Sequence, residues 1–186
     1  MQRTFYIILS AILILNISVT NAQQKVKPKN HMHKMKNLQQ LLDAKNTNNS
    51  IIEIDNFIGE ACNYGNNMNV ITVPQQKFYI NQELEREVNN GGFSQYFINS
   101  GGNYAHETVL SLKEIGAYMT AAILQKAIDL FPGAKVPKNR DQRIKLVEKI
   151  DPNNTIWDKL DQRFFSYEED LNELNIKFVA KHKSSF

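Results

Sequence analysis

From residue 35 onward the apolar positions recur with the period of about 3.6 that sets residues three and four apart on one helix face. Met35, Leu38, Leu41 and Leu42 sketch a first amphipathic helix, which fails in the Asn-rich stretch Asn46 to Asn49. Ser50-Ile-Ile-Glu53 has the form of a capping box, with the hydroxyl accepting from an orphan amide and the carboxylate reaching back. The stripe Ile51, Ile54, Phe57, Ile58 and Ala61 then predicts a second helix that ends near Tyr64-Gly65. Thr72-Val-Pro-Gln75 repeats the capping pattern, with Pro74 in the first turn where no helical donor is yet required.

The third helix is expected to run to about Asn90 and to stop at Gly91-Gly92, because glycine accepts the left-handed backbone of a helix end. A short helix from Phe93 to Ser100 closes at a second pair, Gly101-Gly102, and Asn103 is placed to cap the next, from Tyr104 to about Gly116. Ala117 to Leu130 continues until Phe131-Pro132-Gly133 breaks it. Asn139 caps a helix to Ile150, Ile156 to Phe165 follows, and Ser166-Tyr-Glu-Glu169 opens a last helix to about His182. No stretch alternates long enough to demand a sheet: Val70 to Val73 is the one β-branched cluster, and it precedes a cap. The pattern predicts an all-α fold, a compact domain of about seven helices over residues 50–183, behind a stalk and accessory helix at 23–49. No internal repeat interrupts it.

Residues 1–22 read differently. Phe5 to Leu15 is an unbroken apolar run apart from Ser10, it follows Arg3, and it gives way to small and polar residues up to Ala22. A membrane-spanning helix needs about 20 apolar residues to cross about 30 Å, and this run is too short. It has the form of a signal peptide cut after Ala22, which makes the mature chain periplasmic or secreted, with an uncleaved anchor as the rival reading. The full chain carries 22 Lys and Arg against 19 Asp and Glu, and loss of Arg3 lowers its formal charge from +3 to +2. Charge is unevenly spread: Lys25, Lys27, Lys29, Lys34 and Lys36 form a stalk without acids, whereas residues 78–182 hold 13 bases and 15 acids. The stalk reads as a solvated tether, with attraction to anionic envelope surfaces as the sharper alternative. His31 and His33 lie in it without a third ligand nearby, so no metal site is expected there.

Catalytic patterns are missing. The chain has no G-x-S-x-G, no HExxH, no phosphate-binding loop and no paired cysteines; Cys62, its one cysteine, adjoins the apolar stripe of the second helix and reads as a small core residue. His106 and His182 stand alone near helix ends and read as surface residues. Glu83 and Glu87 fall four apart on a face expected to be exposed, an arrangement that could serve glycosidic acid and base chemistry. The polar group that stands out is Glu87, Asn90, Gly91, Gly92, Phe93, Gln95, Tyr96 and Asn99. Gln95 and Asn99 sit one turn apart among aromatics, where buried amides need partners. These residues form either a binding groove or a structural device that satisfies carbonyls freed at the two glycine pairs.

The run EVNNGGFSQYFINSGG, followed by LKEIGA, LFPG, Arg140-Asp141 and WDKLDQRFF, resembles the bacterial domain family named after a DNA-mimic protein, the DMP type, over residues 78–182. The resemblance implies a small all-helical fold of largely unknown function and implies no enzyme activity; no cofactor is expected. The family's named member is a dimer whose acidic face imitates DNA phosphates to occupy a transcription regulator, so a homodimer is one expectation for this chain. The near balance of charge and the export signal depart from that model, since a mimic must reproduce a charge about every 1.7 Å. The expectation is therefore an exported non-catalytic module that binds a protein partner, with an inhibitor or immunity-like role as one version and neither nucleic acid nor stable membrane insertion. Tyr96 and Phe97 would anchor that interface if they reach the surface. An envelope hydrolase using Glu83 and Glu87, and a DNA mimic, are the alternatives.

Overall fold

The structure, a computed structural model, describes residues 35–186. The leader and the part of the stalk that holds His31 and His33 lie outside the described residues. Eight α-helices and no strand occur among those described: α1 (Leu38–Leu42), α2 (Thr47–Ala61), α3 (Val73–Ile98), α4 (Ala105–Ile115), α5 (Tyr118–Asp129), α6 (Arg140–Ile150), α7 (Asp158–Phe165) and α8 (Leu171–Lys181). The all-α expectation holds. No described helix is long and apolar enough to cross a membrane.

Helix α3 is the axis on which the others are laid, packing against α2, α4, α6, α7 and α8. It supplies Phe78, Leu84, Val88, Phe93, Tyr96 and Phe97, all fully buried. Its C-terminal half meets an aromatic cluster in which the Phe97 ring lies 4.8 Å from Phe131 and 5.2 Å from Trp157, spacings at which aromatic pairs add to simple burial. Cys62 is wholly buried in the same core, as expected, and burial pushes its thiol pKa up. The accessory helix α1 joins that core through Leu38 and Leu41.

Several helix ends follow the expected chemistry. The Thr72 hydroxyl accepts from Gln75 N while Gln75 reaches back to Thr72 N, a complete capping box. Asn139 caps α6, and Gly116 ends α4 at φ 91°. Three expected caps are corrected. Ser50 lies inside α2, whose cap is Asn46, accepting from Asn49 N at 3.1 Å. The asparagine offers the same acceptor one turn earlier, which frees the buried Ser50 hydroxyl to donate to Leu41 O at 2.7 Å and tie α1 to α2. Asn103 caps nothing, because a short 3-10 turn over Ser100–Tyr104 carries the chain into α4. Helix α8 starts at Leu171 under Asp170, not at Ser166; Glu169 instead crosses to α5 and accepts from Met119 N and Thr120 N, both at 2.9 Å. That carboxylate satisfies orphan amides of a helix that has no cap of its own.

Candidate functional site

The glycine-rich motif is built around a break in α3. Gly91 and Gly92 leave helical geometry, Gly92 at φ 71°, and the helix resumes at once on a new axis. The expected stop at Asn90 and restart at Phe93 are therefore present as two halves of one element. Phe93 N, released by the break, donates to Asp161 Oδ1 on α7 at 2.8 Å. A Cβ at Gly92 would fall against that same carboxylate.

Glu87 spans the break. It accepts from Gln95 Nε2 at 2.7 Å and from Asn99 Nδ2 at 2.8 Å, so the three polar residues singled out in the sequence do converge. They converge on one another. Asn90 and Gly91 are exposed, Gly92 is buried, and Phe93 and Tyr96 are entirely in the core. Tyr96 and Phe97 do not reach the surface and cannot anchor an interface; the Tyr96 hydroxyl meets Thr108 Oγ1 at 3.2 Å, and burial raises its pKa. Their inward turn follows from the break, which rotates the second half of α3 so that its aromatic face covers Phe131 and Trp157.

The expectation of an exposed Glu83/Glu87 face is also corrected. Glu83 is buried, accepting from Ser100 Oγ at 3.1 Å and pairing with Arg86, which pairs in turn with Asp55. Glu83 and Glu87 thus serve separate internal sets of donors.

Sequence reasoning missed Arg143. It is fully buried, and its guanidinium donates to the carbonyls of Phe97, Asn99, Pro137 and Lys138. It makes no ion pair among the described residues, and burial lowers its pKa, with Arg140 adding to the effect. A buried charge is tolerable only when its donors are met, and four carbonyls meet them here, two beside the second glycine pair and two in the turn before α6. A side chain at Gly102 would collide with Arg143 and with Phe97 O. The carbonyls near the glycine pairs are thus served by Arg143 rather than by Gln95 and Asn99. Its position four residues before Val147, on the buried face of a polar helix, is the one available sequence signal.

The open polar surface lies elsewhere, in a groove between α2, α3 and the start of α8. Asp55, Tyr64, Tyr79, Glu83 and Arg86 surround a hollow of about 390 Å³. Asp55 and Arg86 also line an adjoining hollow of about 350 Å³ with Ile52 and Glu85, and Glu85 leads on to a third, of about 460 Å³, beside Tyr167 and Asp170. Four carboxylates face this groove, and Arg86 is the one cation among its lining residues. Burial pushes the Asp55 pKa up, with the Arg86 guanidinium opposing; burial raises Glu85 too, against the hydrogen bond that Tyr167 donates at 3.0 Å. Ile52, Tyr64 and Tyr167 stand 57%, 63% and 44% exposed along the groove.

Of the two histidines among the described residues, His106 accepts from Val136 N at 3.3 Å and the His182 ring lies tilted against Phe178 with centroids 4.4 Å apart. Among the described residues no three metal-ligating side chains come together to hold an ion.

The fold and the braced glycine motif define a class of small all-helical domains in which one long broken helix organises the rest. The family model described as DMP19-like protein matches residues 70–182, well over half of the chain, and the chain belongs to that family. No curated protein and no solved structure matches it.

Proposed function

We propose that this chain is an exported, non-catalytic protein-binding module that engages its partner through the groove between α2 and α3, in an inhibitor or immunity-like role. The observation that carries this reading is the juxtaposition of exposed Ile52, Tyr64 and Tyr167 with Asp55, Glu85 and Asp170 on one face. Apolar and aromatic anchors bordered by charge are the composition that carries interface energy, and the sign of the charge favours a partner with basic residues. A glycan hydrolase built on Glu83 and Glu87 is less well supported, because each carboxylate is engaged by its own donors.

DNA mimicry is the second reading, favoured by the family and by the carboxylate excess of the groove. The balance of 13 bases and 15 acids over residues 78–182 counts against it. Export is the other part of the proposal: N-terminal sequencing of the envelope or medium protein should begin at Gln23, and an intact Met1 in a salt-resistant membrane pellet would make the leader an anchor.

Capture from the envelope fraction by the mature chain, read by mass spectrometry, tests the binding role. Ile52→Ser/Tyr64→Ser should melt like the parent and lose the captured protein. Retention by that variant would remove the groove from the interface. Capture of a DNA-binding protein that duplex DNA displaces, with steep loss in salt, would establish the mimic instead.

A further inference from the structure

Helix α2 is covered on one side only. Ile51, Ile54 and Ile58 face the core, whereas Ile52, Glu53, Asn56 and Glu60 stand exposed, three and four residues apart along the outward face. Ile52 and Asp55 then form the α2 wall of the groove, with Glu85 and Arg86 of α3 opposite. The helix holds Glu53, Asp55 and Glu60 and no lysine or arginine. Arg86 is engaged by Asp55 and Glu83, and among the described residues Glu53, Glu60 and Glu85 make no ion pair. This unpartnered helix face thus presents carboxylates without cations around an exposed isoleucine.

The same chain carries the complement. Residues 23–34 contain Lys25, Lys27, Lys29 and Lys34 without an acid, together with Val26 and Met32. They lie outside the described residues, but the point at which they join the domain is fixed. Met35 packs against the core and Asn37 Nδ2 donates to Glu53 Oε2 at 3.4 Å, so the stalk enters beside the exposed face of α2. A helix with its side chains is about 10–12 Å across, and a segment of this length reaches about 40 Å at full extension. The stalk is therefore long enough to cross α2 to the groove. A single surface ion pair is weak. Tethering offsets that weakness, because it holds the lysines at an effective concentration on the millimolar scale, where several weak pairs act together.

We propose that the basic stalk, residues 23–34, docks on the outward face of α2 in its own chain, its lysines meeting Glu53, Glu60 and Glu85 and its path crossing Ile52. An anionic membrane and a second copy are the rival surfaces for such a stalk; the carboxylates beside its own point of entry are nearer than either. Docked there, the stalk covers one wall of the groove, and a basic partner has to displace it. That consequence rests on the groove reading above, whereas the docking itself does not and is measured without a partner. Failure of the docking leaves the groove open to its partner, and a groove that captures nothing leaves the docking measurable.

Acylation of the full mature chain by a limiting dose of an activated acetate ester, read by mass spectrometry, reports docking at each lysine. Only the unprotonated amine reacts, and a carboxylate beside it holds the proton. Lys145 and Lys149, exposed on α6, serve as internal references. At low salt, Glu53→Gln/Glu60→Gln should melt like the parent and speed Lys25, Lys27, Lys29 and Lys34 about two- to fivefold against the references, the size expected for lost exposed pairs. Glu85→Gln, at the groove edge, is the second variant and should act in the same direction. High salt should erase the difference between variants and parent, and the parent rates should not depend on protein concentration. Stalk rates unchanged in both variants would overturn the proposal. So would protection that arises only at high protein concentration, which would make a second copy the occupant, or only with added phosphatidylglycerol vesicles, which would make it a membrane.

Discussion

The two flanks of the Gly91–Gly92 break dispose of their polar groups in opposite ways. On one flank Glu87 takes both amides that face it, and Arg143 takes the carbonyls of Phe97 and Asn99, so the charges close on groups of the same chain. On the other flank Asp151, Asp158 and Asp161 line a shallow recess, and across α3 four carboxylates share a groove with one arginine. The closed flank contains the residues that make the sequence conspicuous. Close packing demands particular residues at fixed spacing, whereas an open carboxylate surface only needs charge in roughly the right place.

Breaking the closed flank should cost most at Arg143. Arg143→Met would leave four carbonyls without their donor, and a loss of about 3 to 5 kcal/mol is expected in chemical denaturation. Gly92→Val should cost about 1 to 3 kcal/mol, from a left-handed backbone that a branched residue resists and from contact with Asp161. Gly91 has an extended φ of −166°, so an added Cβ there meets the Gln95 side chain without backbone strain, and Gly91→Ala should cost less than Gly92→Ala in the same melts. Glu87→Ala should cost about 1 to 2 kcal/mol, the loss of an acceptor for two half-buried amides.

The open flank should respond with the other sign. Burial, followed by Asp158 and Asp151, raises the Asp161 pKa above 3.8 even though Phe93 N opposes the shift. A carboxylate whose folded pKa exceeds its unfolded one favours folding when protonated, and that contribution is lost as pH rises through the raised value. Asp161→Asn, which keeps the acceptor for Phe93 N, should therefore melt at or above the parent temperature at pH 7. The difference should vanish as pH falls below 3.8. A variant clearly less stable at pH 7 would mean that the carboxylate is a net structural contributor. The exposed Lys77–Glu114 pair belongs to neither flank, and Glu114→Gln should change stability by no more than about 1 kcal/mol.

Much of the fold was legible because helices announce themselves through period and caps. The Thr72 box, the Asn139 cap, the end at Gly116 and both glycine pairs fall where the sequence places them. Caps failed where several candidates lay close together: Asn46 and Ser50 are equivalent acceptors one turn apart, and only the buried carbonyl of Leu41 decides between them. Glu169 was read as local because nothing in a linear motif shows that α5 lies beside it with bare amides. The motif residues were recognised as a group, but whether they face inward depends on the rotation introduced at Gly92, a tertiary property. Arg143 was missed for the same reason: an arginine on a polar helix gives no sign that glycines elsewhere have opened carbonyls for it. The groove brings together α2, α3 and α8, so its carboxylates are scattered in sequence from Asp55 to Asp170.

Carboxyl footprinting of the mature chain, alone and with the protein it captures, tests directly whether the motif is an internal brace and the groove the outward face. With carbodiimide labelling read by mass spectrometry, Glu83 and Glu87 should react slowly in the free protein and Asp158 and Asp170 quickly. Bound partner should then protect Glu85 and Asp170 while leaving Glu87 as slow as before. Fast labelling of Glu87 in the free chain, with partner protection confined to Glu87, would contradict this and return the interface to the glycine motif.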